Sequence, residues 1–231
     1  MVEAAARKST YDDSIFINCP FDIEYKAIFE ALVFAAFDCG YVPHCALEAD
    51  DAGQVRVEKI LSIIRGCRLG VHDISRTELD ATNGLPPFNM PFEFGLFVGA
   101  ARLGAREQRR KVSLVLDRER YRFQKFISDI AGQDIREHGD DPERAIAQLR
   151  SWLATLPRKD ILPGGTAIAA RYRAFRAELP GILSGMGIHP IEMVFADYAN
   201  IVSTWLSERP RSTKPPTPQS RKPAAADRPL R

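Results

Sequence analysis

The sequence predicts an α/β protein with a doubly wound, mainly parallel sheet and a C-terminal helical extension. Short apolar runs alternate with amphipathic segments of helical period between residues 14 and 117, as strands and helices do in parallel sheets. Only helical periodicity continues beyond residue 142. A chain of 231 residues, 45% of them hydrophobic, can bury one good-sized core and still carry such an extension.

The alternation begins with an apolar strand at 14–19, whose polar exit contains Asp22 as the expected N-cap of the first helix. Apolar residues then recur at helical spacing until Gly40 ends that helix. We expect a second strand at 41–47 and a second helix at 54–65.

The third strand is expected to start at Leu69 and the fourth to span 112–116. Between them lies a third helix at 90–103, with Asn89 as its N-cap and Pro91 in its first turn. This order of elements predicts a flavodoxin-like sheet.

The chain changes character beyond residue 117. The segment 121–130 has a helical pattern, and Ile135 marks a short fifth strand. Three amphipathic helices are expected at 142–156, 166–179 and 191–206, and the prolines that separate them are Pro157, Pro163, Pro180 and Pro190. The predicted units are a disordered start (1–13), an α/β core (14–135), a helical extension (136–207) and a disordered basic tail (208–231).

Charge and cysteine usage restrict the function classes. Residues 208–231 contain seven Lys or Arg and two acidic residues, so they carry +5, whereas the rest of the chain carries −3 of the net +2. This predicts at most weak nucleic-acid binding, through the tail. The four cysteines have neither metal-site spacing nor disulfide density, so we expect reduced thiols, no metal and no cofactor. No apolar run reaches the roughly 20 residues that span a bilayer, which favours a cytoplasmic protein without a membrane segment.

Two acidic residues occupy positions at which α/β proteins build ligand sites. Asp73 ends the strand that starts at Leu69, and Glu93 is predicted in the first turn of the third helix. There the helix dipole should keep Glu93 ionised. Ligands of open α/β sheets bind outside the carboxyl ends of the strands, so we expect both acids at one site.

These residues resemble a known superfamily. A strand ending in Asp73-Ile-Ser75, followed by Asn89-x-x-Phe-Glu93-x-Gly, resembles the nucleoside 2-deoxyribosyltransferase-like and TIR-like nucleotide glycosidases, over about residues 14–117. The resemblance implies that Glu93 is the catalytic carboxylate and Asp73 its partner. The pattern departs at Pro87, where the deoxyribosyltransferases carry an aspartate.

The resemblance also implies the chemistry and the ligand contacts. Cleavage of an N-glycosidic bond develops an oxocarbenium-like sugar, which an ionised Glu93 can stabilise or trap. The expected substrate is a nucleotide or nucleoside, NAD among them, with hydrolysis or transfer as the reaction. Phe21 is expected to stack on a base, and Arg76 either clamps a phosphate or forms an exposed ion pair. The full set of expected substrate-binding residues is Asn18, Pro20, Phe21, Asp22, Ser75, Arg76 and Asn89.

Other polar and small residues have structural interpretations. His72 should point to the opposite face of the sheet from Asp73 and be a packed histidine, and Cys19 a buried thiol. The glycines Gly95, Gly99 and Gly104 should permit close helix packing.

Two alternatives to the enzyme remain open. One is a non-catalytic nucleotide-binding signalling module that transmits binding through the helical extension. The other is a scaffold whose helices, with Trp152, Leu153, Phe175 and Trp205, pack on the core or form a homo-oligomer.

Overall fold

A computed structural model describes residues 9–48, 53, 55–79, 84–130, 132–157 and 160–209. Gln54, the expected first residue of the second helix, lies outside these ranges, and so do residues 1–8 of the predicted start and 210–231 of the predicted tail. Five strands of the described chain form one parallel sheet in the order β2-β1-β3-β4-β5. Their bounds are β1 Ser14–Asn18, β2 Val42–His44, β3 Leu69–Asp73, β4 Val112–Asp117 and β5 Arg136–Glu137. The predicted doubly wound α/β fold is therefore confirmed.

Helices cover both faces of this sheet. Their bounds are α1 Lys26–Asp38, α2 Arg56–Gly66, α3 Asn89–Leu103, α4 Pro142–Leu153, α5 Gly165–Met186 and α6 Phe195–Glu208. On one face, α1 packs against apolar side chains of β1 and β3 such as Ile17 and Val71. On the other face, Phe16 of β1 packs with residues of α2 and α3, among them Ile60 and Phe97.

The C-terminal helices pack on α1 and extend the same apolar core. Trp152 of α4, Phe175 of α5 and Trp205 of α6 are buried in one cluster with Phe34 of α1. The rings of Phe175 and Trp205 lie 5.4 and 6.0 Å from that of Phe34, centroid to centroid. The apolar side chains predicted in the extension thus pack on the core of their own chain.

Two predicted helix caps were wrong. Asp22 is not the N-cap of α1: its Oδ1 accepts a hydrogen bond from the backbone N–H of Tyr25 at 2.9 Å, so it closes the turn that precedes the helix. Asn89 is the first residue of α3, and the N-cap is Phe88, which makes no side-chain cap. The first strand exit therefore contains an extra turn, and α3 begins one residue early.

Several element bounds also differ from the predictions. Strand β2 is shorter than 41–47, because the chain turns after His44 with the Glu48 N–H bonded to the Cys45 carbonyl. The predicted helix at 121–130 is two short 3-10 helices, Arg122–Lys125 and Ser128–Ile130. Residues 9–13 were predicted within a disordered start, but Tyr11–Asp13 form a 3-10 helix.

The largest difference from the predicted helices is in α5, which continues through Pro180 to Met186. Pro180 lies on the exposed side, where water can bond the carbonyl group that the missing N–H leaves free. Leu179 and Leu183 on either side of it are buried, so packing outweighs the proline penalty. Within the described residues, no helix is both long and apolar enough to cross a lipid bilayer.

Candidate functional site

The carboxyl edge of the sheet brings together most of the predicted site residues. The chain leaves β1 towards β2 on one side, while β3 lies on the other side of β1, so the strand order reverses between β1 and β3. Crevices at such a reversal are the ligand sites of doubly wound folds. Asn18 ends β1 at this point and residues 19–22 follow it, while Asp73 ends β3 and residues 74–76 follow that strand.

Glu93 lies on the buried face of α3, beside the end of β1. It is the fifth residue of the helix, beyond the first turn, and only 3% of it is exposed. Burial raises the pKa of its carboxyl group, and the Arg56 guanidinium at the start of α2 lowers it. The predicted place of Glu93 in the first turn of the helix was therefore wrong, and desolvation is a larger influence on its pKa than the neighbouring charge.

The start of α3 is attached directly to the end of β1. The Asn18 side-chain amide donates a hydrogen bond to the Met90 carbonyl at 2.9 Å and lies 3.3 Å from His72 Nδ1. Asn18 Oδ1 is buried and has no hydrogen-bond partner among the described residues. Asn18 is thus first a positioning residue, with one acceptor atom still open to a ligand or water.

Three carboxyl groups lie around the thiol of Cys19, the residue after β1. Burial raises the pKa of Cys19 well above its usual value, and Asp73, Glu93 and Asp22 raise it further. A thiol in this state is a poor nucleophile, in line with the predicted buried cysteine. The same interactions show that acids from β3, α3 and the β1 exit converge at the switch between β1 and β3.

Asp73 is completely buried and fully engaged in hydrogen bonds. Its Oδ1 accepts the Ser75 N–H at 2.9 Å, and its Oδ2 lies 2.9 Å from Nε2 of His138, the residue after β5. The same Nε2 lies 2.9 Å from Ser75 Oγ. His138 Nδ1 accepts the Asp140 N–H at 3.0 Å, so a neutral ring carries its proton on Nε2.

This cluster differs from a hydrolytic Ser-His-Asp triad, in which the two ring nitrogens serve serine and aspartate separately. In this protein one nitrogen faces both partners, and all three side chains are buried. The arrangement fixes the exit of β3 against the exit of β5. Asp73 and Ser75 were both predicted to contact the substrate. In the described structure they instead hold the site in place by hydrogen bonds to each other and to His138.

A second ion pair, between Arg122 and the buried Asp117, was not predicted from the sequence and fixes the same exit. The Arg122 guanidinium donates to Asp117 Oδ1 at 2.7 Å, to Thr77 Oγ1 at 2.5 Å and to the carbonyls of Ile74 and Ser75. Burial raises the pKa of Asp117, although Arg122 opposes that shift. Arg122 thus holds the loop that follows β3 by hydrogen bonds at three of its residues, Ile74, Ser75 and Thr77.

Arg76, one predicted role of which is to bind a phosphate, is paired with two carboxylates of its own chain. It donates from Nε to Asp22 Oδ2 at 2.9 Å and from Nη2 to Glu24 Oε2 at 2.6 Å. This pairing lowers the pKa of Asp22 and keeps it ionised. Of the two interpretations of Arg76, the structure contains the ion pair, with partners on the β1 exit.

The remaining predicted binding residues lie at the rim or behind it. Phe21 is half-buried, with its ring edge-on to Phe29 at 5.3 Å, and Pro20 is buried. Asn89 is exposed at the start of α3. His72 lies on the opposite face of the sheet, as predicted, between the rings of Phe94 and Phe97.

Comparison with known proteins assigns no family or function to this site. No family model, no curated protein and no solved structure matched the chain.

Proposed function

We propose that this chain is an N-glycosidase or glycosyltransferase that acts on a nucleotide or nucleoside, with Glu93 as the catalytic carboxylate. One observation carries the proposal: the buried carboxyl group of Glu93 has a raised pKa and acts electrostatically on Cys19 at the exit of β1, next to the point where the strand order reverses. Perturbed carboxyl groups in such crevices are typical of acid–base or nucleophilic sites.

Glu93 would act next to the anomeric carbon of the sugar. As the C–N bond breaks, the electron pair leaves with the base and positive charge develops on the sugar, which the ionised carboxylate stabilises or traps. Water or another acceptor then attacks the sugar and loses a proton, which a purine or pyrimidine base takes up as it departs, whereas nicotinamide leaves NAD as a neutral molecule. Burial strengthens the carboxylate–cation attraction because little water screens it.

Asp73 supports this reaction as a positioning residue. It is buried, and its bonds to Ser75 and His138 leave it unsuited to touch a substrate. Asp22 is exposed at the β1 exit and its pKa is lowered; its Oδ2 accepts the Arg76 Nε–H and has capacity for a second hydrogen bond, so this acid is suited to hold a sugar hydroxyl group. Asp22 thus takes the role of partner to Glu93 that was predicted for Asp73.

Arg56 is the cation best placed for a substrate phosphate. It is exposed at the start of α2, and its charge acts on the Glu93 carboxyl group. Arg76, by contrast, is already held by two carboxylates. We expect Arg56→Gln to raise the KM for a nucleotide several-fold while leaving that for the nucleoside unchanged; an equal effect on both substrates would contradict this role.

The test of the enzyme assignment is base release. Wild-type protein and Glu93→Gln are incubated with NAD, nucleosides and deoxynucleotides, and free base is followed by chromatography. Glu78→Gln is a matched control, because Glu78 is an exposed acid after β3 that pairs with Arg118. We expect release by wild type and the control only; no release by wild type from any substrate would reject the enzyme.

A non-catalytic nucleotide-binding module is the second candidate. It is favoured by the commitment of both Asp73 and Arg76 to partners within the chain. Calorimetry distinguishes the two: nucleotide binding that survives Glu93→Gln, with no product formed over hours by wild type, would support the binding module.

A further inference from the structure

One side of α3 is apolar and exposed. Phe88, Phe92 and Leu103 are 63%, 55% and 87% exposed. Gly95 and Gly99 lie between them, and a Cβ added at either would meet no atom within 4 Å outside its own helix. Helical spacing places these five residues in one line, which we call the α3 stripe. The close helix packing predicted for Gly95 and Gly99 is therefore absent within the chain, and of the three predicted glycines only Gly104 is crowded, by the Ala100 carbonyl.

The α3 stripe contrasts with the apolar residues of the C-terminal helices. Those side chains, among them Trp152 and Trp205, are buried in the core of the chain and cannot contact a second copy. Glu93 and Phe97 occupy the opposite, buried side of α3. Within α3, Arg102 is the charged residue on the exposed side.

We propose that two copies of this chain associate through the α3 stripe about a two-fold axis. In an antiparallel pair of α3 helices, Gly95 of one copy lies opposite Gly99 of the other, and the missing side chains let the backbones approach closely. Phe92 of each copy then packs beside Leu103 of the other. Arg102 of the other copy reaches the face of Phe92, which gives this cation of α3 an aromatic partner.

The exposed area sets the strength of this dimer. A large apolar side chain has about 150–250 Å² to bury, so the exposed parts of Phe88, Phe92 and Leu103 add up to roughly 450 Å². A patch of that size lies within the range of the largest apolar patch on an ordinary monomer, which often has a function. Two copies would bury roughly 900 Å² through the stripe, below the ~1,200 Å² of a stable interface, so the dimer should be weak and concentration-dependent.

Sedimentation velocity over a range of concentrations tests the proposal. We expect wild type to shift from monomer to dimer with a micromolar dissociation constant. Gly99→Glu places a charge at the centre of the stripe, where there is space for it, and should weaken the dimer at least about tenfold. Gly181→Glu is the matched control, since Gly181 is an exposed helical glycine of α5 that also has no neighbour within 4 Å; this variant should dimerise like wild type.

Cross-linking tests the antiparallel register separately. A mixture of Gly95→Cys and Gly99→Cys proteins should form inter-chain disulfides faster than either variant alone, because the two positions face each other. The four native cysteines are buried and do not compete. A wild type that stays monomeric at all concentrations, or a Gly99→Glu variant that dimerises normally, would overturn the proposal.

Discussion

Acidification should destabilise this fold through His72. The imidazole is fully buried, with its ring 4.9 and 4.8 Å from those of Phe94 and Phe97. Burial, with a smaller contribution from the Lys111 ammonium, lowers the pKa of His72 from 6.5 to about 3. At a pH between these two pKa values, His72 binds a proton in the unfolded chain but not in the folded chain, so the free energy of unfolding falls as the pH falls.

The size of the effect follows from the two pKa values. At about pH 4.5 the unfolded histidine is almost fully protonated and the folded one is neutral, so the contribution lost relative to pH 7 is about 2.5 kcal/mol. For a domain of this size that corresponds to roughly 5–10 °C in Tm. Buried acids such as Glu93, whose pKa is raised, shift stability in the opposite direction over the same range.

Urea unfolding of matched variants isolates the histidine. His72→Gln keeps an acceptor for the Asn18 amide but cannot ionise, and His189→Gln replaces an exposed histidine. The free energy lost between pH 7 and about pH 4.5 should be about 2.5 kcal/mol larger in wild type and His189→Gln than in His72→Gln. Equal losses in all three proteins would refute the reasoning.

Three further predictions concern stability. Phe175→Ala should cost about 3–5 kcal/mol in chemical unfolding, because Phe175 is fully buried between α1 and α6, whereas the exposed Phe92→Ala should cost under about 0.5 kcal/mol; similar costs would contradict the assigned core. His138→Ala should lower the free energy of unfolding by about 3 kcal/mol, because it leaves Asp73 Oδ2 buried without its His138 partner. The double variant His138→Ala/Asp73→Asn should recover most of that loss, which a double-mutant cycle measures. Deleting residues 210–231 should leave Tm nearly unchanged in calorimetry, and a loss of many degrees would show that the tail stabilises the core.

The fold could be predicted because its signals are local. Helical spacing of apolar residues in α1 and the apolar run of β3 are visible within a dozen residues, and the structure has both. Local signals mislead where packing decides the outcome. Pro180 predicts the end of a helix, yet α5 continues past it because Leu179 and Leu183 are buried in the core.

The candidate site was predicted only in part, because its supporting residues are distant in sequence. His138 lies 65 positions from Asp73 and Arg122 lies 45 from Thr77, and no spacing rule connects them. A hint existed for His138, which follows the short fifth strand and so falls at the carboxyl edge of the sheet. The direction of the pKa shift of Glu93 was also beyond the sequence, since it depends on how deeply α3 buries the side chain.

The central claim is that the Glu93 carboxylate stabilises charge as a glycosidic bond breaks, and kcat/KM for base release tests it directly. On a substrate that wild type cleaves, Glu93→Gln keeps the size of the side chain but removes its charge. We predict a loss of at least about a thousandfold in kcat/KM, with the circular dichroism spectrum and the substrate Kd little changed. Base release by Glu93→Gln at a rate close to that of wild type would contradict the account.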